Sequence, residues 1–263
     1  LQMLLIAIAA LIGNGVSIVI SQYWGANKDS SATTVINNAL TIIVFSWLIF
    51  ALLSYIYEQT ILVGIGITPA LFIDASSYFL PIMLGSIFLF LLSLVCDVLR
   101  AQTNMSGLFL IILLGAIANI GLDFLFVVIF SLGVLGAALA TLIGQILGII
   151  IGLKLLKNGK HGLQLSHIKF EVKIKVIRHF LGLGFPVFIS YIGAAFVMMI
   201  INVSIAQHVN DSKEVLIAAY GMIGRINIFM ILPLIAISQA VQTIIAHNYG
   251  ANRLERVHKT AIA

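Results

Sequence analysis

Long apolar runs alternate with short polar breaks along this chain. Each run is about 20 residues or longer, which is the length that an α-helix needs to cross about 30 Å of hydrocarbon. Within a run the residues do not alternate between polar and apolar, as they would in a membrane β-strand. The pattern predicts seven transmembrane helices, at about residues 3–24, 34–57, 77–99, 107–130, 133–156, 181–206 and 216–246.

The composition supports this interpretation. Apolar residues make up 61% of the 263-residue chain and charged residues only 9%, with a mean hydropathy of +1.16. Soluble domains carry about 25% charged residues, and a soluble domain this apolar would lack polar side chains to cover its surface. The predicted fold class is therefore an all-α polytopic membrane protein. The single cysteine, Cys96, excludes an internal disulfide framework.

The basic residues predict the orientation in the membrane. Loops that alternate along the chain lie on the same side, and one set carries twelve basic residues while the other carries Lys213 alone. The positive-inside rule makes the basic set cytoplasmic, which predicts a multi-pass protein of the plasma (inner) membrane. The basic balance thus reflects topology and contact with membrane lipid rather than nucleic-acid binding. The twelve residues are Lys28, Arg100, Lys154, Lys157, Lys160, Lys169, Lys173, Lys175, Arg178, Arg253, Arg256 and Lys259.

The sequence contains an internal repeat. Residues 16–28 read VSIVISQYWGANK and residues 241–253 read VQTIIAHNYGANR, an offset of 225 residues. Both copies end an apolar run on the predicted cytoplasmic side, which suggests two lobes related by an axis along the membrane normal.

If the two lobes are equivalent, an intact protein has about twelve spans. This chain then holds spans two to eight and is truncated at both ends. The expected domains are an N-terminal lobe at 1–156 that lacks its first helix, a basic cytoplasmic linker at 157–180, and the start of a C-terminal lobe at 181–263.

Charged residues inside spans cost at least about 2.5–3.5 kcal/mol each, so they are candidates for function. Asp123 lies nine residues before the turn centred on Leu132 and Thr141 lies nine after it, so an antiparallel hairpin places them at equal depth. Nine residues rise about 13 Å, which is near the middle of the membrane. Asn119 lies one turn before Asp123 and, by the same counting, level with Gln145.

Asp123, Asn119, Thr141 and Gln145 therefore form a candidate cation-coupling site. Their oxygens suit a hard cation such as Na⁺, and a carboxylate in a poorly hydrated pocket also takes up a proton. No other metal site is expected. In the alternative interpretation, Asp123 only hydrogen-bonds across the hairpin and joins the two helices.

Two further charged residues have simpler explanations. Asp97 lies near the end of its span with Arg100 one turn later, which favours an ion pair at the membrane interface. Arg225 either extends toward the interface or faces a water-filled cavity. Aromatic and methionine side chains of the last two spans are candidates for an adaptable drug cavity; with Arg225 they are Phe185, Tyr191, Met198 and Met222.

Four segments and the second repeat copy carry a family resemblance. They are SQYWGANK at 21–28, LRAQTN at 99–104, NIGLDFLFV at 119–127, GVLGAALATLIGQ at 133–145 and SQAVQTIIAHNYGANR at 238–253. In this order and at these span positions, they resemble the multidrug and toxic compound extrusion (MATE) family. The resemblance covers essentially the whole chain.

The resemblance implies a monomeric, two-lobe exporter of twelve helices that exchanges Na⁺ or H⁺ for organic, often cationic compounds. It implies no cofactor beyond the coupling ion. Some members bind the cation through an Asn and an Asp one turn apart on the fifth helix and a Thr on the sixth, which here are Asn119, Asp123 and Thr141. Those members also use an Asp on the first helix, which this chain lacks. Others use an acid on the seventh helix, and residues 181–206 contain none.

Three alternatives remain. A lipid-linked precursor flippase of the same superfamily would need several cationic residues in its cavity, and only Arg225 is available in the spans. A channel or other non-transporting membrane protein is disfavoured by the repeat and by the acid at mid-membrane depth. An enzyme is the least supported, because the sequence shows no nucleophile with a matching base, and no phosphate-binding loop suggests ATP-driven transport.

Overall fold

The computed structural model describes residues 2–64, 69, 72–159, 169–208 and 213–262, and within these ranges every regular element is a helix. The elements are α1 (Gln2–Gly25), α2 (Asp29–Ile56), α3 (Glu58–Gly64), α4 (Phe72–Leu84), α5 (Ser86–Ala101), α6 (Met105–Asp123), a π-helix (Phe124–Ile129), α7 (Gly133–Lys157), α8 (Ile174–His208), α9 (Lys213–Gly250) and α10 (Leu254–Ile262).

Six of the described helices are long and apolar enough to cross a membrane, and α4 with α5, bent by 47°, is a candidate for a seventh span. The bend lies at Gly85, close to Pro81, whose ring leaves no N–H for the helical ladder. The free groups at the break find partners: Gly85 N–H donates to the Pro81 carbonyl at 2.8 Å, and Ser86 Oγ donates to the Met83 carbonyl at 2.7 Å. The predicted all-helical membrane fold is confirmed, and the predicted third span is divided between α4 and α5.

The helix α8 begins earlier than the sequence pattern predicted. Its first residue is Ile174, whereas the apolar run begins at residue 181. The extra turns carry basic side chains, which an amphipathic helix end tolerates outside the hydrocarbon. Part of the predicted linker, residues 160–168, lies outside the described residues.

The segment before α8 is held against α2 by side chains that point inward from that helix. The backbone N–H groups of Lys169 and Glu171 donate to Asn37 Oδ1 and Thr41 Oγ1, each at 3.1 Å, and the N–H of Lys173 donates to Asn38 Oδ1. Asn37, Asn38 and Thr41 are buried. These bonds satisfy polar groups that would otherwise be costly in an apolar core.

The two copies of the repeat end their helices in the same way. Asn27 and Asn252, which are equivalent at the repeat offset, both adopt a positive φ, 56° and 57°. The amide of the next residue, Lys28 or Arg253, donates to the carbonyl five residues earlier, at 2.8 and 2.9 Å. This is the Schellman ending of a helix, and Asn is one of the few residues that tolerate its left-handed position. The repeated Gly-Ala-Asn sequence is therefore a helix stop.

Helix α1 contacts α8 backbone to backbone. A Cβ built on Gly15 would lie 1.9 Å from the carbonyl oxygen of Phe180, and one built on Gly184 would lie 1.9 Å from that of Leu11. Gly15 follows Leu11 by one helical turn, and Gly184 follows Phe180 by one turn. The two helices therefore run antiparallel and each presents a glycine to the carbonyl of the other.

A second contact of this kind joins α1 to α9 at the ends that carry the repeat. A Cβ on Gly25 would lie 2.0 Å from the carbonyl oxygen of His247, and one on Gly250 would lie 1.9 Å from that of Gln22. The repeat offset relates Gly25 to Gly250 and Gln22 to His247. The two copies of the repeat therefore contact each other, and the glycine of each copy packs on the equivalent backbone carbonyl of the other.

The contact between α1 and α8 predicts a sharp difference between two nearby glycines. We expect Gly184→Ala to lower the melting temperature of the detergent-purified protein, because the new methyl group overlaps a carbonyl and overpacking costs about 1–3 kcal/mol. Gly182→Ala is the matched control: a Cβ there meets no heavy atom within 4 Å, and alanine favours the helix. Equal melting temperatures for the two variants would contradict the close contact.

Candidate functional site: the polar residues of the α6–α7 hairpin

A tight turn places α6 and α7 side by side. The π-helix that extends α6 ends at Ile129 and α7 begins at Gly133. Ser131 and Gly133 take positive φ values of 51° and 57°, which reverse the chain within three residues. Beyond the turn, a Cβ on Gly136 would lie only 3.0 Å from the backbone carbon of Phe126. The small residues at the start of α7 therefore let the two backbones approach closely.

The hairpin sets the depth of the polar residues. A Cβ built on Gly144 would lie 3.7 Å from the Cβ of Asn119. Counting from the turn predicted Asn119 level with Gln145, so the structure agrees with that count to within one residue. Asp123 and Thr141 lie one turn nearer the loop on their respective helices.

Asp123 is the last α-helical residue before the π-helix. In that segment the N–H of Phe130 donates to the carbonyl of Leu125 at 2.9 Å, five residues back rather than four. π-helical turns are rare and occur often at functional sites. Because a π-helix winds differently from an α-helix, the residues after Asp123 do not continue the helix face on which Asp123 lies.

Two of the four candidate residues carry buried oxygens without a hydrogen-bond partner among the described residues. They are Oδ1 of Asp123 and Oε1 of Gln145. The hydroxyl of Thr141 donates to the Ala137 carbonyl of its own helix at 3.0 Å, which leaves its lone pairs as acceptors. Asn119 is half-buried against α7. The hairpin thus brings together one carboxylate and three neutral side chains that carry acceptor oxygens.

Where their side chains are described, the candidate cavity residues of α8 and α9 differ in exposure. Tyr191 is half-buried and lines a cavity together with Asp97. Phe185 and Met222 are 53% and 59% exposed, and Phe185 contacts Phe188 with ring centroids 6.2 Å apart. The side chains of Met198 and Arg225 lie outside the described part of the structure.

Asp97 forms the predicted ion pair with Arg100, but it does so deep in the protein. The carboxylate is 6% exposed and also accepts a hydrogen bond from Ser93 Oγ at 3.3 Å. Its Oδ2 lies against Gly13 in the middle of α1, where a Cβ would approach to 1.9 Å. The predicted ion pair near the end of the span is therefore present, and the packing of Gly13 of α1 against Asp97 buries it within the protein.

Two buried or half-buried amides near Asp97 were not identified from the sequence. Asn14 and Gln239 line the same cavity as Asp97. The repeat offset of 225 residues relates them, so the signal that pairs them was present in the sequence. Without knowledge of helix contacts, two isolated amides in apolar runs gave no reason to expect them together.

The MatE family model matches residues 1–125 and 186–263. Among curated relatives, the probable multidrug resistance protein YoeA of Bacillus subtilis (strain 168) is 27% identical over 97% of this chain and 56% of its own length. The multidrug export protein MepA of Staphylococcus aureus (strain MSSA476) is 24% identical over 98% of this chain and 57% of its own length. The chain thus spans a little over half the length of these relatives.

Solved structures agree in fold. The MATE multidrug transporter DinF-BH, solved as a complex, aligns with a TM-score of 0.88 and 29% identity over 99% of this chain and 58% of the other. A multidrug resistance MATE transporter of the MOP superfamily in an outward-facing conformation aligns with a TM-score of 0.87 and 21% identity over 99% of this chain and 57% of the other. With a family model that matches most of its residues and a helical fold shared along its length, this chain belongs to the MatE family.

Proposed function

We propose that the protein is a secondary active exporter that exchanges Na⁺ or H⁺ for organic compounds, and that Asp123 carries the coupling cation. The observation that supports this most directly is the buried Oδ1 of Asp123, which has no hydrogen-bond partner among the described residues. An unsatisfied carboxylate oxygen in an apolar hairpin is costly. A site that binds a cation during its working cycle explains why such a group is kept.

The neutral acceptors near Asp123 support a hard cation as the ligand. Asn119, Thr141 and Gln145 offer oxygens at neighbouring depths of the same hairpin, and oxygen is the preferred donor for such ions. The proton is the alternative coupling cation, since carboxylates in proteins bind protons as well as metal ions. The two cations would relieve the same unsatisfied oxygen.

Coupling requires that the cation favour one conformation over another. Binding at Asp123 would stabilise one packing of the hairpin and its π-helix, and a compound that prefers the other access state would then compete with the cation. The relatives support organic compounds as substrates: MepA is named a multidrug export protein and DinF-BH a multidrug transporter. The lobes at 1–156 and 181–263 would be the units that move.

We propose further that the protein is a monomer of the inner membrane and that its basic loops lie in the cytoplasm. The orientation of the loops is tested by replacing Cys96 with Ser and introducing a single cysteine at Gln59 or Lys157, both of which are exposed. We expect a membrane-impermeant maleimide to label Gln59→Cys in intact cells and Lys157→Cys only after permeabilisation. The opposite labelling would reverse the topology.

The unsatisfied carboxylate predicts a gain in stability when it is removed. In Na⁺-free buffer we expect Asp123→Leu to raise the melting temperature of the purified protein, because loss of an unpaired buried polar group is worth about 1–3 kcal/mol. The exposed Asp74 provides a control, since Asp74→Leu removes a solvated acid and should give no gain. If Na⁺ is the coupling ion, NaCl should stabilise the wild type and leave Asp123→Leu unchanged. An equal Na⁺ response in both would place the ion elsewhere.

Transport itself is tested with the protein expressed from its native gene and reconstituted into proteoliposomes. We expect an imposed Na⁺ or H⁺ gradient to drive ethidium movement in the wild type and in Asp74→Asn. In Asp123→Asn the movement should fall to the rate of protein-free liposomes, because the neutral amide cannot exchange a cation. Gradient-driven transport that survives in Asp123→Asn would leave Asp123 as a hydrogen-bonding group between the two helices.

A further inference from the structure

An elongated apolar cavity lies between α2, α5 and α7. It has a volume of about 380 Å³, and the segment that precedes α8 completes its wall. Every lining side chain on the three helices is aliphatic, and the segment before α8 contributes Lys169 and Phe170. Aliphatic walls offer water no hydrogen bonds, so the cavity suits an apolar ligand.

The cavity has the length and volume of one fatty-acyl chain. Along α5 its lining runs from Ile87 to Val98, and the helical rise over that interval is about 16 Å. One leaflet of a bilayer contributes about 15 Å of hydrocarbon, half of the total of about 30 Å. An apolar cavity of about 150 Å³ holds one benzene molecule, which has six carbon atoms, so this cavity has room for a chain of about fifteen carbons.

One end of the cavity is positively charged. Lys169 lines it, and Lys157 lies one turn beyond the lining residue Leu153 on the same face of α7. Both lysines are exposed, and neither forms an ion pair within the described part of the chain. Lys173 differs, because its ammonium group lies 2.6 Å from the carboxylate of Glu171. The two basic groups at the end of the cavity therefore favour an anionic ligand.

Helix α2 fixes the position of Lys169. The backbone N–H of Lys169 donates to Asn37 Oδ1 at 3.1 Å. Ile36, the neighbour of Asn37 in sequence, and Leu40 line the cavity. The same helix thus forms one apolar wall and holds a basic residue at the end of that wall. Phe170 lies beside Lys169 and is 77% exposed, and aromatic side chains are enriched at the headgroup level of membranes.

An anionic phospholipid matches this combination of features. Its acyl chain contacts the aliphatic walls, and its phosphate accepts charge-assisted hydrogen bonds from ammonium groups. A neutral lipid would fill the apolar part but leave the lysines without a partner. An organic cation would be repelled by the lysines, which separates this cavity from the transport of such compounds.

We propose that this cavity binds one acyl chain of an anionic phospholipid, taken from the leaflet on the side of the basic loops, with the phosphate held by Lys169 and Lys157. The proposal is independent of the exporter function and requires only that the protein lies in a membrane. Because the site joins α2, α5 and α7 to the segment before α8, a bound lipid stabilises the contact of that segment with the helices. The lipid is a bound structural partner and not a transported compound.

The test uses detergent-purified protein that is expressed from its native gene, delipidated and titrated with single lipids. Native mass spectrometry measures the bound lipid. The probes are phosphatidylglycerol, which is anionic, and phosphatidylethanolamine with the same acyl chains, which has no net charge. Lys169→Gln removes one charge and keeps the backbone N–H that bonds to Asn37. Lys175→Gln is the matched control, since Lys175 is an exposed lysine nearby that is not part of the cavity lining.

We expect the wild type to bind phosphatidylglycerol more tightly than phosphatidylethanolamine. Lys169→Gln should weaken phosphatidylglycerol binding about fivefold, the factor that one lysine contributes near an anionic lipid surface, and should leave phosphatidylethanolamine binding unchanged. Lys175→Gln should match the wild type with both lipids. Equal weakening in the two lysine variants would show a diffuse attraction to the basic loops and would overturn the proposal.

The apolar part of the site is tested separately. Ile149→Trp places a larger side chain in the cavity and should weaken phosphatidylglycerol binding although Lys169 is intact. Its melting temperature shows whether it is folded, and Lys169→Gln, which changes an exposed side chain, keeps the test valid if it is not. Unchanged binding in a folded Ile149→Trp variant would place the lipid elsewhere and overturn the proposal.

Two competitors distinguish the lipid from other occupants. Glycerol phosphate carries the anionic group without acyl chains, and we expect it not to displace phosphatidylglycerol. Ethidium is an organic cation and should not displace it either. Displacement by glycerol phosphate would assign the basic end to a free phosphate compound, and displacement by ethidium would make the cavity a site for organic cations. Either result would overturn the proposal.

Discussion

The packing of the described helices depends on the backbone contacts of α1 with α8 and α9. In a lipid bilayer the hydrophobic effect does not drive apolar helices together, so close van der Waals packing of small residues must stabilise their contacts. Gly15, Gly25, Gly184 and Gly250 supply it, each placed where a side chain would overlap a carbonyl oxygen. This packing places α1 against α8 and α9, and Gly13 of α1 covers Asp97 of α5. A bulkier residue at any of these glycines would push α1 away from α8 or α9.

The α6–α7 hairpin combines close backbone packing with buried polar groups that lack hydrogen bonds among the described residues. A tight turn and small residues on α7 fix the depth of Asn119 and Gln145, but acceptor oxygens of Asp123 and Gln145 have no hydrogen-bond partner in the described part of the chain. A helix built only for stability would replace them with apolar side chains. The π-helix that follows Asp123 is also less favourable than a regular α-helical turn. Stability given up at one point of an otherwise well-packed hairpin is a common property of ligand-binding sites.

The sequence predicted those parts of the fold that depend on local periodicity. The spans, the turn at Leu132 and the level of Asn119 follow from helix rise and a short loop, which vary little among proteins. The bend at Gly85 was missed because Pro81 permits a break without requiring one, and the π-helix has no simple compositional signal. The enclosure of Asp97 was missed because it depends on packing between segments about eighty residues apart. Asn14 and Gln239 could have been paired from the repeat, but their proximity required the α1–α9 contact.

The paired contacts of Gly25 with His247 and of Gly250 with Gln22 have the symmetry expected of a duplicated gene. In a dimer with two-fold symmetry, a residue of one subunit meets a given residue of the other, and the same pair meets again with the roles exchanged. Gly25 on the carbonyl of His247 and Gly250 on that of Gln22 have this relation within one chain. Such a pattern results when a gene that encodes one copy of the repeat, and whose product forms a symmetric dimer, is duplicated and the two copies are fused. Once the copies were joined, each could change alone, and the asparagine at position 14 and the glutamine at position 239 are one outcome of that freedom.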